Sequence, residues 1–525
     1  MSGSNGSTPA AFNSRYAYTV LLILAGMAIM VTYVETMVLP AFGNFEQFFG
    51  VYDSSTIAWI LSAYLLVGVV VTPIFGKLGD LYGKKKILLI AMGIYAVAVT
   101  VAGFTPNIGQ WAGLSRPNQI YVLIGVRAVQ GIGMAMFPLG FAMLPEVFPA
   151  NRVGQAQGLL SGMFATGAAA GLVGGGWIAQ NYGWQLTYHT VIPFAVFMFI
   201  VAALLIRESK VRREQKIDLP GITSLGIGLT FLMLGITEGA YWGWTTLSAT
   251  HLAGIPWGVP QFFVLAAIAF GFFLWWEPRA PSPVVSFKAL RERNIWVSNV
   301  NGVLVGMTMF LLFTVLIIYG EYPAPGFGLK ELPAALLFIP AVLGMMVGGY
   351  PLGRATGKFG PKPVMVLGFV LIAIGAFSLV AFHSTQLDIA LIAIPIMVGN
   401  VAVLVAMTNT IILSVDPRTL GVQTGMNQTF RNLGSALGPV LVTSILASYA
   451  YTLLTPMGPF QNYHINGYLL VFGLVGAIGV VGATLSLAVK NFRFLADGSR
   501  HGHPSGAPAE PSAEPAPAVN ASGRT

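Results

Sequence analysis

Three ionisable residues stand inside long apolar stretches of the sequence: Glu35, Arg127 and Arg431. A charge at the centre of a membrane helix costs about 2.5–3.5 kcal/mol, so such residues point to function by default. Glu35 offers a carboxyl that can take up and release a proton. Burial favours its protonated form and a nearby guanidinium its ionised form. Any movement that shifts this balance would release a proton. Arg127 and Arg431 could supply that guanidinium, directly or through water, or could bind an anionic ligand. Each residue also has a plainer reading. Glu35 could sit at the membrane interface, Arg127 could be anchored on backbone carbonyls, and Arg431 could bridge helices within one bundle.

Around these charges lie polar and aromatic residues suited to a ligand cavity: Tyr33, Trp59, Tyr64, Gln130, Asn299, Asn301, Asn400 and Asn427. Amides within membrane spans face protein or a cavity. Aromatic rings suit a lipophilic cation, and they also pack. Two further acids, Glu238 and Glu321, fall at span ends and are expected to be wet.

The elements that carry these residues are membrane helices. The 525-residue chain is 55% hydrophobic, with a mean hydropathy of +0.75, more than one soluble core could bury. Apolar runs of about twenty residues recur, each long enough to cross a ~30 Å hydrocarbon core. Fourteen spans are expected, the first over 18–41, the fourth over 119–143 and the fifth over 154–179. Segment 1–17 is then a tail, 18–207 a first six-helix bundle, and 208–295 a linker carrying two extra spans. A second six-helix bundle follows over 296–490. A Pro-, Ala-, Gly- and Ser-rich tail over 491–525 is expected to be disordered.

Charge tests this count. Of the 27 Lys and Arg residues, 23 fall on the side bearing both termini, with only Arg116 and Lys330 opposite. By the positive-inside rule that side is expected to be cytoplasmic, and the plasma membrane is the expected location. The +9 net charge is thereby explained by topology and calls for no nucleic-acid partner. The chain has no cysteine. It carries no metal-ligand spacing, no nucleophile–base set and no GxxxxGK[ST] loop. An enzyme, a cofactor protein and an ATP-driven pump are therefore not expected.

One loop concentrates charge: "GKLGDLYGKKK", residues 76–86. Gly76 and Gly83 would permit a tight turn and close helix approach, and Lys84, Lys85 and Lys86 would hold the loop by charge bias. The stretch has a counterpart in "GRATGKFGPKP" at 353–363. A second pair is clearer. Gly154, Gly158, Gly167 and Gly171 recur at the same offsets as Gly421, Gly425, Gly434 and Gly438. The two bundles thus look like parallel repeats, the pattern of transporters whose site lies between bundles near the midplane. The fifth span is crowded with small residues, Gly167, Gly171, Gly174 and Gly175 among them. Small residues let helices approach closely, either as a seam that rocks against the other bundle or as tight packing alone.

On these residues the chain resembles the major facilitator superfamily, and within it the fourteen-span drug:proton antiporters of multidrug efflux type. Gly76–Lys86 fits the loop motif G-x-L-x-D-x-x-G-[RK]-[RK]. "RAVQGIGMA" from Arg127, "GAAAGLVGG" from Gly167 and "ETMVLPAF" from Glu35 resemble its fourth-, fifth- and first-span motifs. Leu172 stands where the fifth-span motif has proline, and Gly357 where the second loop copy would match Asp80. The resemblance implies an all-α fold of two six-helix bundles plus two inserted helices. It implies a gate latch in which Asp80 pairs with Lys84, faces a helix N-terminus of the other bundle and is joined by Glu146. It also implies a monomeric, proton-driven exporter of amphipathic or cationic compounds, bathed by membrane lipids and working by alternating access. A transporter of one metabolite or organic anion is the other expectation, with Arg127 and Arg431 as its anion contacts.

Overall fold

The structure, a computed structural model, describes residues 13–51, 54–209, 217–252, 255–281, 283–415, 420–455, 458–490, 493–494 and 500–501. The outer parts of both tails lie outside the described residues. Fourteen helices are long and apolar enough to cross a membrane, matching the expected count.

The first bundle holds α1 (Ser14–Thr36), α2 (Phe42–Phe49), α3 (Ser54–Tyr82), α4 (Lys84–Gly103) and α5 (Thr105–Trp111). It continues with α6 (Arg116–Gln130), α7 (Met136–Val147), α8 (Ala150–Tyr182) and α9 (Trp184–Leu205). An insert follows, with α10 (Leu219–Trp242), α11 (Val259–Trp276) and the short α12 (Phe287–Leu290). The second bundle is α13 (Arg293–Glu321), α14 (Glu331–Leu336), α15 (Ile339–Phe359), α16 (Pro361–Ala381), α17 (Gln386–Ser414), α18 (Leu420–Ala447) and α19 (Ile465–Ser486). Short antiparallel hairpins pair Thr250–Leu252 with Ile255–Trp257, Ala450–Thr455 with Gly458–Tyr463, and Arg493–Phe494 with Arg500–His501.

Local chemistry sets the joints. Three pairs of long helices are joined by one residue each: Gly83, Gly183 and Gly360, with φ of 108°, 86° and 86°. Only glycine enters that region without a Cβ penalty, so an abrupt helix-to-helix reversal requires it. Gly83 and Gly360 are the matched glycines of the two loop repeats.

The repeat is visible in packing. A Cβ on Gly167 or Gly171 of α8 would overlap Thr32 or Thr36 of α1. A Cβ on Gly434 or Gly438 of α18 would overlap the backbone of α13 around Val303 or come within 3.0 Å of Leu311 N. Each glycine pair lets its helix lie on the first helix of its own bundle. Thr36 Oγ1 adds a 3.0 Å hydrogen bond to the Ala168 carbonyl.

Between the bundles, α3 packs along α18, and α8 meets α14 and α15. The insert spans this division, because α10 touches both α3 and α18. Ser444 Oγ donates to the Ile236 carbonyl at 2.8 Å. On the face away from the termini, Tyr322 donates its hydroxyl to Glu46, and Leu332 N–H donates to Gln180 at 3.1 Å. Both contacts join one bundle to the other. Towards the terminal face, Gly76, Gly162, Gly353, Gly357 and Gly425 have open space where a Cβ would stand.

Candidate functional site

The fourth span is not one continuous helix. After Gln130 the backbone tightens into a 3-10 segment over Gly131–Ala135. The cause is close approach: a Cβ on Gly131 would overlap the Tyr64 carbonyl, and one on Gly133 the Tyr95 ring. This break fixes the end of α6, where Arg127 sits.

Arg127 is fully buried. Its Nε donates to the Ile60 carbonyl at 2.9 Å and its Nη1 to Gln130 Oε1 at 2.6 Å. Its guanidinium lies 4.5 Å from the centroid of the Tyr64 ring, a cation–π contact. Arg127 is thus anchored, in part on a carbonyl. Nη2 is left without a partner, as are the Gln130 Nε2 and Tyr64 hydroxyl beside it. Tyr64 and Gln130, expected in a ligand cavity, serve here as the cradle of Arg127.

Glu35 ends α1 and is 7% exposed. It makes no ion pair with Arg127: among the described residues, carboxylate–cation pairs within 4.0 Å occur only at Lys84. The opposite charges that bear on it are those of Arg431 and Arg127. The expected direct Glu35–Arg127 ion pair is therefore absent, and one of the two charges that bear on Glu35 comes from the other bundle. Among the described residues, Arg431 shows no side-chain hydrogen bond or ion pair within the second bundle. Its guanidinium lies 5.6 Å from the Phe164 ring of α8, so it reaches into the first bundle. Glu35, Arg127 and Arg431 are thus a triad of in-span charges, in which the two arginines act on Glu35 electrostatically without an ion pair, and Arg127 keeps an unpartnered Nη2.

The asparagines are placed otherwise than expected. Asn301 donates to Ser486 at 2.9 Å, and Asn400 accepts from Thr308 at 3.1 Å. Asn299 donates to the Ile295 carbonyl at 2.8 Å and accepts from Asn427, which also donates to the Ser298 carbonyl at 3.0 Å. All four knit helices of the second bundle together, because a buried amide without a partner costs more than the bond gains. Tyr33 is half-buried with its ring 3.3 Å from where a Gly174 Cβ would lie, and Trp59 packs partly buried on the core.

The small-residue face of α8 also reads differently. Gly167, Gly171 and Gly175 all pack on α1, the last against Met37. Among the described glycines of α8, Gly176, whose Cβ would sit 3.0 Å from the Glu331 carbonyl, is the one that meets the second bundle. The seam is internal to the first bundle.

At the charged loop, Lys84 forms an ion pair with Glu146, lies 4.0 Å from Asp80 and donates to the Ala142 carbonyl at 3.2 Å. Asp80, Lys84 and Glu146 thus meet at one point, where α3, α4 and α7 of the first bundle converge. Residues 416–419, which lead into α18, lie outside the described residues. Gly76 makes no close approach and sits within α3, with open space around it. Gly79 is the crowded glycine, against Leu139. Lys85 Nζ donates to the Ala203 carbonyl at 2.6 Å.

Sequence reasoning missed Glu208. Its carboxylate accepts from the backbone N–H groups of Lys85 and Lys86, both at 3.0 Å, at the N-terminus of α4. A helix N-terminus favours such a charge. It also explains Gly83 a second time, since a Cβ there would stand 2.6 Å from that carboxyl. Its position just after a span was the only signal. Glu46 was missed too. Glu321, expected wet, has a buried, unpartnered Oε1. Burial first, and then the Glu46 charge, hold the Tyr322 phenol well above its usual range, so it remains a hydrogen-bond donor.

These features define a polytopic membrane transporter. The profile of the major facilitator superfamily matches residues 20–439, and the chain belongs to that family. Its members are transporters of small molecules and not enzymes. The tetracenomycin C resistance and export protein of Streptomyces glaucescens is 25% identical, covering 84% of this chain and 78% of its own. Multidrug resistance protein 3 of Bacillus subtilis is 23% identical, covering 82% and 79%. The xylose transporter XylE from E. coli superposes with a TM-score of 0.61 at 13% identity, covering 90% and 98%. That last likeness concerns the fold alone.

Proposed function

We propose that the chain is a proton-coupled exporter of amphipathic or cationic compounds, working by alternating access in the plasma membrane as a monomer. The face bearing the termini is the cytoplasmic one in this reading. The observation that carries it is Glu35: a buried carboxyl with no ion pair within 4.0 Å among the described residues, in a first bundle into which Arg431 of the second bundle reaches. A carboxyl so placed senses the separation of the bundles. When Arg431 approaches, the ionised form gains and a proton leaves. When Arg431 withdraws, burial dominates and a proton returns. A cationic substrate competing for the same carboxylate gives exchange of substrate for proton.

Two other features support the reading. The distal ends are joined by Tyr322–Glu46 and Leu332–Gln180, while glycines towards the terminal face stand in open space. Asp80, Lys84 and Glu146 then act as the latch on that terminal face. The names of the relatives above, one an export protein and one a multidrug resistance protein, agree with export.

A second reading is a transporter of one metabolite or organic anion. The unpartnered Nη2 of Arg127 favours it, since a buried guanidinium with a spare donor suits an anionic group. Liposomes with an imposed pH gradient and a trapped pH dye separate the two. Lipophilic cations should evoke proton flux that Glu35→Gln abolishes. Flux evoked only by anions and surviving Glu35→Gln would replace the first reading with the second.

A further inference from the structure

The insert contains two acids that the transport cycle above does not use. Asp218 stands at the start of α10, 5% exposed, and Glu277 follows α11, fully buried. Each has one oxygen held by hydrogen bonds. Asp218 Oδ1 accepts from Gly221 N–H at 3.1 Å and from the Trp276 indole N–H at 2.7 Å. Glu277 Oε1 accepts from the Val285 N–H.

The second oxygens, Asp218 Oδ2 and Glu277 Oε2, have no hydrogen-bond partner and are shielded from solvent. They converge on one point: a Cβ added to Gly221 would overlap Asp218 Oδ2 and lie 2.7 Å from Glu277 Oε2. Among the described residues, the charged group facing the pair is Lys77 of α3, which interacts electrostatically with both acids. Its Nζ donates to the Pro283 carbonyl at 3.3 Å.

With both acids ionised, the pair and Lys77 would carry a net negative charge out of water. Two carboxylates that share a buried gap cannot both be ionised cheaply. One proton neutralises the cluster and turns two facing acceptors into a donor and an acceptor.

We propose that Asp218 and Glu277 form a proton-binding carboxyl pair, separate from Glu35, that ties the insert to the terminal end of α3. The site has a mechanical consequence. Lys77 lies one turn before Asp80, so opening the pair loosens the insert beside the Asp80–Lys84–Glu146 cluster. The closed pair holds one proton more than the opened one. The closed form is therefore lost as pH rises: its opening equilibrium climbs about ten-fold per pH unit between the titration of the opened acids and that of the closed pair, and levels off above it.

The test is hydrogen exchange by mass spectrometry on the full chain in lipid nanodiscs, following peptides over 217–223 and 277–287. In the wild type, exchange should rise across one pH window about ten-fold per unit beyond the intrinsic chemical increase. Glu277→Gln and Asp218→Asn each supply the missing donor as an amide and should remove that extra rise while keeping the peptides protected. The proposal is overturned by a wild type with no extra rise, or by an extra rise that persists in both variants. It is overturned equally if sodium or potassium at fixed pH restores protection, since the gap would then take a metal cation. If a variant fails to fold, infrared difference spectra of the wild type decide. One protonated-carboxyl band should vanish at the upper end of that window, where the extra rise in exchange levels off, and a band that stays contradicts the pair.

Discussion

Lys84 forms its ion pair with Glu146, while Asp80 stands 4.0 Å from the same ammonium. The loop lysine is therefore shared between the two ends of a contact from α3 to α7. Glu146→Gln should lower stability by about 1 kcal/mol, the scale of a partly exposed pair. Asp80→Asn should change stability less and reduce transport at least about ten-fold, about 1.4 kcal/mol on the rate-limiting step. Thermal unfolding in detergent and uptake into vesicles separate the two. Equal effects of both variants on stability alone would remove the latch reading.

Glycines of the motifs should not behave alike. Gly171→Ala forces a methyl into Thr36 and the Tyr33 carbonyl, and overpacking of this kind costs about 1–3 kcal/mol. Gly76→Ala meets open space within a helix and should raise stability by about 0.5–1 kcal/mol. Melting midpoints of the two variants should move in opposite directions.

Glu208 carries two backbone donors of α4. Glu208→Ala should cost about 1 kcal/mol, the usual value of a helix cap. Glu208→Gln should recover part of it, because the amide oxygen still accepts. Hydrogen exchange at the Lys85 and Lys86 amides would report the change directly.

Arg127 holds its place with two nitrogens of a planar fork, which a lysine cannot reproduce. Arg127→Lys should lose one charge-assisted hydrogen bond, about 1.5–3 kcal/mol. It should also disturb the triad, so transport falls further than stability predicts. A transport rate that tracks stability alone would make Arg127 an anchor and nothing more.

The fold was largely legible in the sequence because a membrane imposes a simple pattern. Apolar length counted the fourteen spans, and the repeated glycines exposed the two bundles. The fine structure was not. A hydropathy run cannot display the 3-10 break after Gln130, which arises from Gly131 meeting Tyr64. Nor does it say which face of α8 meets which helix, so Gly167 and Gly171 could be assigned to the wrong seam. Asn301 and Asn400 looked like ligand groups because sequence gives their polarity but not their partners, Ser486 and Thr308. Of the triad, the three residues stood out as in-span charges. Their pairing did not, since it depends on Arg431 crossing to the first bundle. Glu208, Asp218 and Glu277 escaped notice because acids at span ends are ordinarily solvated.

The central claim is that binding of a cation displaces a proton from Glu35. The most direct measurement is proton release from purified protein in weakly buffered detergent on addition of a lipophilic cation such as tetraphenylphosphonium. The account predicts about one proton released per cation bound, declining at high pH where Glu35 is already ionised, and none from Glu35→Gln. Cation binding with no proton release in the wild type, or release unchanged in Glu35→Gln, would contradict it.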